Sequence, residues 1–242
     1  MYCEEANKMI TAEQKLSFLE DGYLVFKEIV PRTLIEEIRK EVQTLSEKEA
    51  GVLYLNDNEG WENFDSLLPL FWEMIQRVIK LPTIREAIQD LIGLSNELIL
   101  SAYGLVRSDR GKIHWHQDAS EFNELILEKY KSKNGLTDIS VRLLPSAFLG
   151  NFVGVLIYLQ DTSDSLSPMR VIPGSHLWNS PPNNPYANSL AGEVRFPLPA
   201  GSAVFFDTNI WHTIDRNVST IDSWTLNLFF ITTNIESLVE TC

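Results

Sequence analysis

The run Ile113-His114-Trp115-His116-Gln117-Asp118 is answered far downstream by Phe206-Asp207-Thr208-Asn209-Ile210-Trp211-His212. A His-x-Asp pair with a distant second His is the residue set that holds a non-haem Fe(II) on one face and leaves the opposite positions open for oxygen and a substrate. The spacing has a physical basis. Residues i and i+2 of a strand point to the same side, so His116 and Asp118 can reach one ion, and His212 can arrive on any strand folded alongside. Trp115 and Gln117 then face away. Imidazole suits Fe(II) and a carboxylate lowers the charge of the site, whereas a fourth protein ligand would have indicated a closed structural zinc site. All four histidines of the chain, His114, His116, His176 and His212, lie in motif-bearing segments.

The elements that must position these residues divide the chain in two. Thr11 is placed to cap a helix over Ala12 to Asp21, and Leu34, Ile35, Ile38 and Val42 recur at helical spacing within Pro31 to Ser46. Further helices are predicted over Ser66 to Leu81 and over Pro82 to Leu94, and the first long strand over Leu98 to Arg107. The charged segment Ala119 to Asn134 reads as a solvated surface helix or a lid over the metal mouth. After it come strand-like stretches rich in β-branched and aromatic residues: Ile139 to Leu144, Leu149 to Gln160, Arg170 to Ile172, Ser202 to Asp207 and Ser223 to Thr233. Helices first and strands after give an α+β chain whose core is a two-sheet sandwich. The Asn179 to Pro185 stretch reads as a loop, and no internal repeat is evident.

A length of 242 residues suits one domain with a substantial core. The expected division is a helical part over about residues 1–97 and a strand-rich core over about 98–235. The formal charge of −13 disfavours nucleic acid or an anionic membrane as partner, because the term that drives phosphate binding has the wrong sign. Cys3 and Cys242 lie at opposite ends, which argues against a disulfide scaffold and agrees with a reducing compartment. The opening Met1-Tyr2-Cys3-Glu4-Glu5 lacks a basic and apolar leader, and no apolar run approaches the ~18 residues of a membrane span. The expectation is a soluble, cytoplasmic protein.

Three further segments resemble, in order, the phytanoyl-CoA dioxygenase family of Fe(II)/2-oxoglutarate oxygenases. Phe18 to Phe26, with Gly22 and Tyr23, is similar to the family's opening strand. Leu156 to Thr162 followed by Pro168 to His176 resembles its strand ending in Asp and its V-I-P-G-S-H turn. Leu198 to Asp207, then His212, Asn217 and Ser219, resembles its final block. The resemblance covers roughly residues 10 to 232. It implies a double-stranded β-helix, or cupin-like jelly roll, with the N-terminal helices packed on one outer face. It also implies a metal site at His116, Asp118 and His212, with Fe(II) and 2-oxoglutarate as cofactors. The implied chemistry is oxidation of a small, secondary-metabolite-like substrate by hydroxylation, desaturation or rearrangement. Asp118 stands where halogenating relatives carry a small residue, so chloride has no vacancy. The chain ends Glu240-Thr241-Cys242, unlike a peroxisomal signal, so phytanoyl-CoA itself is not favoured as substrate.

One departure stands out. The family usually anchors the far carboxylate of 2-oxoglutarate with an Arg on the last core strand, shortly beyond the second metal His. At that place stand Asp222, Ser223 and Trp224, and no Lys or Arg follows Arg216. A carboxylate taken into an apolar barrel must be paired or solvated. Arg107, Arg142 and Arg170, with Ser223 and Thr225, are therefore the candidates for co-substrate binding, and each Arg has a competing reading as a structural ion pair. Two other readings stay open: a metal-dependent isomerase or other enzyme independent of 2-oxoglutarate, and a non-catalytic partner subunit. Trp115, Gln117, Phe206 and Trp211 are candidates for the substrate pocket, with core packing as the alternative. Substrate identity and oligomeric state, including a homodimer, are left open by these residues.

Overall fold

Thr11 and Gln14 open the first helix by exchanging hydrogen bonds. The Gln14 N–H donates to Thr11 Oγ1 at 3.1 Å and the Thr11 N–H donates to Gln14 Oε1 at 2.9 Å, satisfying two donors that a helix start leaves unpaired. In the computed structural model, which describes residues 9–48, 61–63, 68–92, 98–108, 114–119, 141–143, 152–178, 180–215, 217–219, 222–232 and 239–241, this helix α1 spans Ala12–Asp21. Gly22 ends it at φ 83°, a left-handed cap that favours glycine, and its N–H donates to Phe18 O. The chain then enters strand β1, Tyr23–Phe26. Helix α2 follows at Arg32–Lys48 and buries Leu34, Ile35, Ile38 and Val42, the apolar stripe its sequence spacing predicts. Strand β2 is Trp61–Asn63, and helices α3 (Leu68–Ile79) and α4 (Pro82–Ile92) complete the first half.

The second half is built from β3 (Leu98–Ser108), β4 (Val141–Leu143), β5 (Phe152–Tyr158), β6 (Met169–Val171), β7 (Val194–Arg195), β8 (Ala203–Asp207), β9 (His212–Ile214), β10 (Ser223–Thr232) and β11 (Val239–Thr241). Six strands pair in the order β1-β8-β5-β10-β3-β2, three in the order β7-β6-β9, and β11 pairs with β4. Every pairing among the described residues is antiparallel.

Strand alternation sorts the large sheet into two faces. Val153, Val155 and Ile157 of β5, Ala203 and Phe205 of β8, and Trp224, Leu226, Leu228 and Phe230 of β10 share one buried cluster with apolar residues of α1, α2, α3 and α4. The intervening Leu156 and Tyr158 of β5 and Val204 and Phe206 of β8 join Met169 and Val171 of β6 and Ile214 in a second cluster, which unites the large sheet with the three-stranded one. Because β5 is buried on both faces, it reads in sequence as an unbroken apolar run rather than an alternating one.

The four helices predicted before residue 95 and the six predicted strand stretches appear, as does the opening strand at β1, with ends shifted by a few residues, as element ends commonly are. Strands β2, β7, β9 and β11 were not expected. Each has two or three residues, too few for alternation to register, and each exists because a longer neighbour supplies its pairing. The segment expected as a charged helix lies outside the described residues, apart from Ala119.

The motif glycine of the first strand is also a junction. The Gly22 carbonyl accepts the Asp207 N–H at 2.8 Å, tying the end of α1 to the end of β8, and Asp21 O accepts the Gly174 N–H at 2.8 Å. The His176 ring occupies the space a side chain at Gly22 would need, its Nδ1 lying 2.5 Å from where a Cβ would stand. His176 Nε2 donates to Leu19 O at 3.1 Å, so this histidine is structural. Gly22→Ala is therefore expected to combine left-handed backbone strain, roughly 1–3 kcal/mol, with a clash against a buried ring. A urea titration should show a lower midpoint with an unchanged slope; an unchanged midpoint would contradict this account.

Candidate metal centre

His116 and His212 face each other as an isolated antiparallel bridge. The His116 N–H donates to His212 O and the His212 N–H donates to His116 O, both at 3.0 Å. A directly opposed pair places its side chains on the same face, and the two imidazole centroids lie 4.2 Å apart. Asp118, two residues beyond His116, reaches the same spot. Its Oδ1 is 3.4 Å from His116 Nε2 and its Oδ2 is 3.4 Å from His212 Nε2. One ligand atom from each of the three lies within 4.8 Å of the others.

The turn before His212 is fixed from both sides. Asp207 accepts hydrogen bonds from the Asn209 N–H at 2.8 Å and from Asn209 Nδ2 at 3.0 Å, while the Ile210 N–H donates to Asp207 O. Ser175 Oγ accepts the Trp211 N–H at 2.9 Å, and Trp211 O accepts the Ile172 N–H. On the other strand, the Ala119 N–H donates to Thr208 O and Gln117 Nε2 donates to Asn209 O.

The hydrogen bonds of the two rings set their tautomers. His116 Nδ1 lies 2.8 Å from His114 O and His212 Nδ1 lies 3.0 Å from Ile210 O. A carbonyl oxygen has no proton to give, so each Nδ1 donates, and Nε2 is the ring nitrogen turned toward Asp118. Burial pushes the His212 pKa down to about 4, against the opposing pull of the Asp118 charge, so the imidazole is neutral at pH 7. For Asp118, burial acts upward, but His212 and His116 outweigh it and hold the carboxyl below its ordinary value.

Two imidazole nitrogens and a carboxylate thus converge, a donor set that one shared cation can join. Donors about 2.1 Å from one ion at right angles stand about 3 Å apart, close to the spacing found. The residues present fit a two-His, one-carboxylate ion. Side-chain exposures of 34% for His116, 14% for Asp118 and 7% for His212 place the open side toward His116.

Of the four pocket candidates, Phe206 stands at the centre, its ring 5.1 Å from that of His212. Trp115 and Gln117 turn away, as the alternation of a strand requires: Trp115 is buried under the Arg170 guanidinium, 5.2 Å from the ring centroid, and Gln117 is held by Asn209. Trp211 is half-buried beside Ser175.

The co-substrate candidates separate more sharply. Arg170 is 1% exposed and engaged by Glu193 at 3.0 Å and Asp215 at 2.8 Å, on the side of β6 opposite Met169 and Val171, so it is the structural ion pair of the competing reading. Ser223 Oγ is also engaged, donating to Leu166 O at 3.1 Å and accepting from Gln160 Nε2 at 3.0 Å. Thr225 Oγ1 is buried without a hydrogen-bond partner among the described residues, and so is Asn227 Oδ1. Both lie on the face of β10 opposite Leu226 and Leu228, which belong to the helix-side cluster. Arg107 stands opposite Trp224 in the β3–β10 register and Arg142 opposite Glu240 in the β4–β11 pair; their side chains lie outside the described residues. Asn227 was missed in the sequence, although it continues the period of two set by Ser223 and Thr225.

The family profile described as phytanoyl-CoA dioxygenase (PhyH) matches residues 18–222, and the chain belongs to this family of enzymes. No curated protein matches it in sequence. Among solved structures, HygX from Streptomyces hygroscopicus, with nickel, 2-oxoglutarate and hygromycin B bound, superposes with a TM-score of 0.69 at 16% identity, covering 93% of this chain and 88% of that one. The epimerase SnoN, in complex with Fe3+, alpha ketoglutarate and nogalamycin RO, gives 0.64 at 18% identity over 90% and 81%. The carbocyclase SnoK from nogalamycin biosynthesis gives 0.66 at 16% identity over 92% and 84%. At such identities the likeness is one of fold: helices with antiparallel sheets in the arrangement of these proteins. Among the described residues, no helix is long and apolar enough to cross a membrane.

His212→Ala removes a buried candidate ligand and should weaken Fe(II) binding by more than the ~10–100-fold ordinarily lost with an outer partner of a ligand. Metal analysis after anaerobic gel filtration reads this directly, and stoichiometric iron in the variant would remove His212 from the ligand set.

Proposed function

We propose that this protein is a mononuclear non-haem Fe(II) oxygenase that uses 2-oxoglutarate to oxidise a small, secondary-metabolite-like molecule, with His116, Asp118 and His212 as the metal ligands. The carrying observation is the reciprocal His116–His212 backbone pair, which turns two Nε2 atoms onto the Asp118 carboxylate. Family membership supports the reading, and so do the similar folds crystallised with nickel or iron and 2-oxoglutarate. Those structures include an epimerase, a carbocyclase and a monooxygenase, so the reaction proposed is oxidation of a C–H bond, with its outcome set by the substrate held. We read the two sheets as a double-stranded β-helix carrying the helices on the outer face of the larger sheet, and the chain as one catalytic unit.

Bound Fe(II) would supply oxygen activation and one-electron chemistry. The chain's part is to hold and orient. Asp118 and the two imidazoles would occupy one side of the ion and leave the other to co-substrate and substrate. The His114 and Ile210 carbonyls keep each Nδ1 protonated, so that neither ring can turn its lone pair elsewhere. Phe206, against His212, excludes water from the buried side. Thr225 Oγ1 is the hydroxyl we assign to the co-substrate's far carboxylate, being buried and otherwise unpartnered.

Anaerobic addition of Fe(II) and then 2-oxoglutarate tests the reading. A weak visible charge-transfer band that saturates is expected, as is one succinate per substrate turnover in air. Iron bound without such a band would overturn the co-substrate assignment; no iron bound would overturn the whole. Thr225→Val should weaken 2-oxoglutarate in the same titration by about 10-fold or more, since a hydrogen bond to a charged group contributes roughly 1.5–3 kcal/mol, while iron affinity stays unchanged. Equal co-substrate affinity in the variant would show that Thr225 does not touch it.

A further inference from the structure

The residues on the outer side of the small sheet form an ion cluster that the metal chemistry does not use. Arg170 Nη1 donates to Asn188 O at 2.8 Å and to Glu193 at 3.0 and 3.1 Å, and Nη2 meets Asp215 Oδ1 at 2.8 Å. Arg195 closes the cluster against Glu193 at 3.3 Å and Asp215 at 3.4 Å, so two cations face two carboxylates. A buried guanidinium needs such partners. With both of its ends engaged, Arg170 offers its planar face, and that face lies 5.2 Å from the centroid of Trp115. The Trp115 indole N–H is buried without an acceptor among the described residues, so packing and the guanidinium face hold the ring.

The register makes this contact relevant to the metal centre. Val171 pairs with His212 and Arg170 with Thr213, while His116 pairs with His212 from the other side. Continuing that antiparallel register sets Trp115 opposite Thr213, so Arg170 reaches across β9 to the residue adjoining a ligand. Arg170 also grips the excursion between Pro185 and Glu193 through Asn188 O and Glu193, and this excursion accepts the Trp115 N–H at Pro185 O, 3.1 Å away. The ligand segment is therefore held twice by one side chain, once through the Trp115 ring and once through its backbone.

We infer that Arg170 is a positioning residue for the metal centre: stacked on Trp115 and holding the 185–193 excursion, it fixes the strand segment that carries His116 and Asp118. The inference rests on the metal-centre reading above. Arg170 touches no metal, co-substrate or substrate in this account. It sets where one imidazole and the carboxylate stand relative to His212, which is also held by the pairing of β9 with β6.

The test uses Co(II) in place of Fe(II), with the dissociation constant and the visible spectrum of the bound ion read in the same titration. Arg170→Met and Trp115→Leu should each raise the Co(II) dissociation constant by about 10–100-fold, the range for lost outer partners of metal ligands, and alter the cobalt bands. The double variant should lose little more than the worse single one, because both remove one contact. Arg170→Lys keeps the charge without the planar face and should restore melting temperature more than it restores the spectrum. Ile88→Ala, a buried truncation in α4, serves as the control for lost stability alone and should keep the wild-type spectrum. Wild-type affinity and bands in Arg170→Met and Trp115→Leu, with only the melting temperature lowered, would overturn the inference. Should Arg170→Met fail to fold, Arg170→Lys and Trp115→Leu decide it by the same criterion. A wild-type protein that takes up no Co(II) would instead bring down the metal-centre reading itself.

Discussion

Two backbone hydrogen bonds between His116 and His212 are the constraint on which the site depends. A hydrogen-bonded antiparallel pair fixes the separation and the facing of its two residues without help from their side chains, so the imidazoles meet because their amides do. The side chains then need one further restraint each, and each finds it at the carbonyl two residues upstream, His114 O and Ile210 O. The arrangement is the same on both strands. Asp118 stands in the turn two residues beyond the bridge and reaches the same spot. Little of the centre is therefore carried by long, flexible side-chain contacts, which is the condition for holding ligands in place before a metal arrives.

What surrounds this pair transmits rigidity inward. Gly22 joins the end of the first helix to Asp207 and receives the ring of His176. Ser175, the neighbour of His176, accepts the Trp211 N–H next to His212. Asp207 builds the turn that delivers the same histidine. Three segments far apart in the chain thus converge within a few residues of one ligand, and each is locked by a group that water cannot easily replace because it is buried. The helices contribute more remotely: they cover the outer face of β5, β8 and β10, so that the inner face of those strands can be given over to Phe206, Thr225 and Asn227.

Much of this was legible in the sequence, and what was not has a physical pattern. The candidate triad could be picked out because the close spacing and ligand chemistry of His116-Gln117-Asp118 are local properties, and the second helix because Leu34, Ile35, Ile38 and Val42 repeat at helical spacing. Strand β9 could not be read, although it carries His212. Its three residues are held in place by β6 on one side and His116 on the other, and neither partner is near in sequence. The fate of Arg170 was equally hidden. An arginine in an apolar run can face either side of its strand, and only the pairing of Val171 with His212 settles that Arg170 points outward, to Glu193 and Asp215. Ser223 and Thr225 looked alike as hydroxyls two residues apart on β10. Gln160, brought alongside by the sheet, engages one and leaves the other.

The electrostatics of the inner face of β10 differ from those of an arginine-anchored site in a way that shapes how a dicarboxylate would be held. An ionised carboxylate loses far more solvation on burial than one or two neutral hydrogen bonds return, each contributing roughly 1.5–3 kcal/mol. The Thr225 hydroxyl can orient a carboxylate, but it cannot neutralise one. The favourable charge at the centre resides in the ion, where a divalent cation against one Asp118 leaves a net positive site. The chelating end of 2-oxoglutarate would accordingly supply most of the affinity, with the far end steered by Thr225 and accompanied by water or by a cation from outside this face. The chain's formal charge of −13 acts in the same direction, because on average it disfavours the approach of an anion. On the proposed function, binding of the co-substrate would be conditional on metal occupancy, with the ion first and the dicarboxylate second, because the positive charge of this face would lie in the ion.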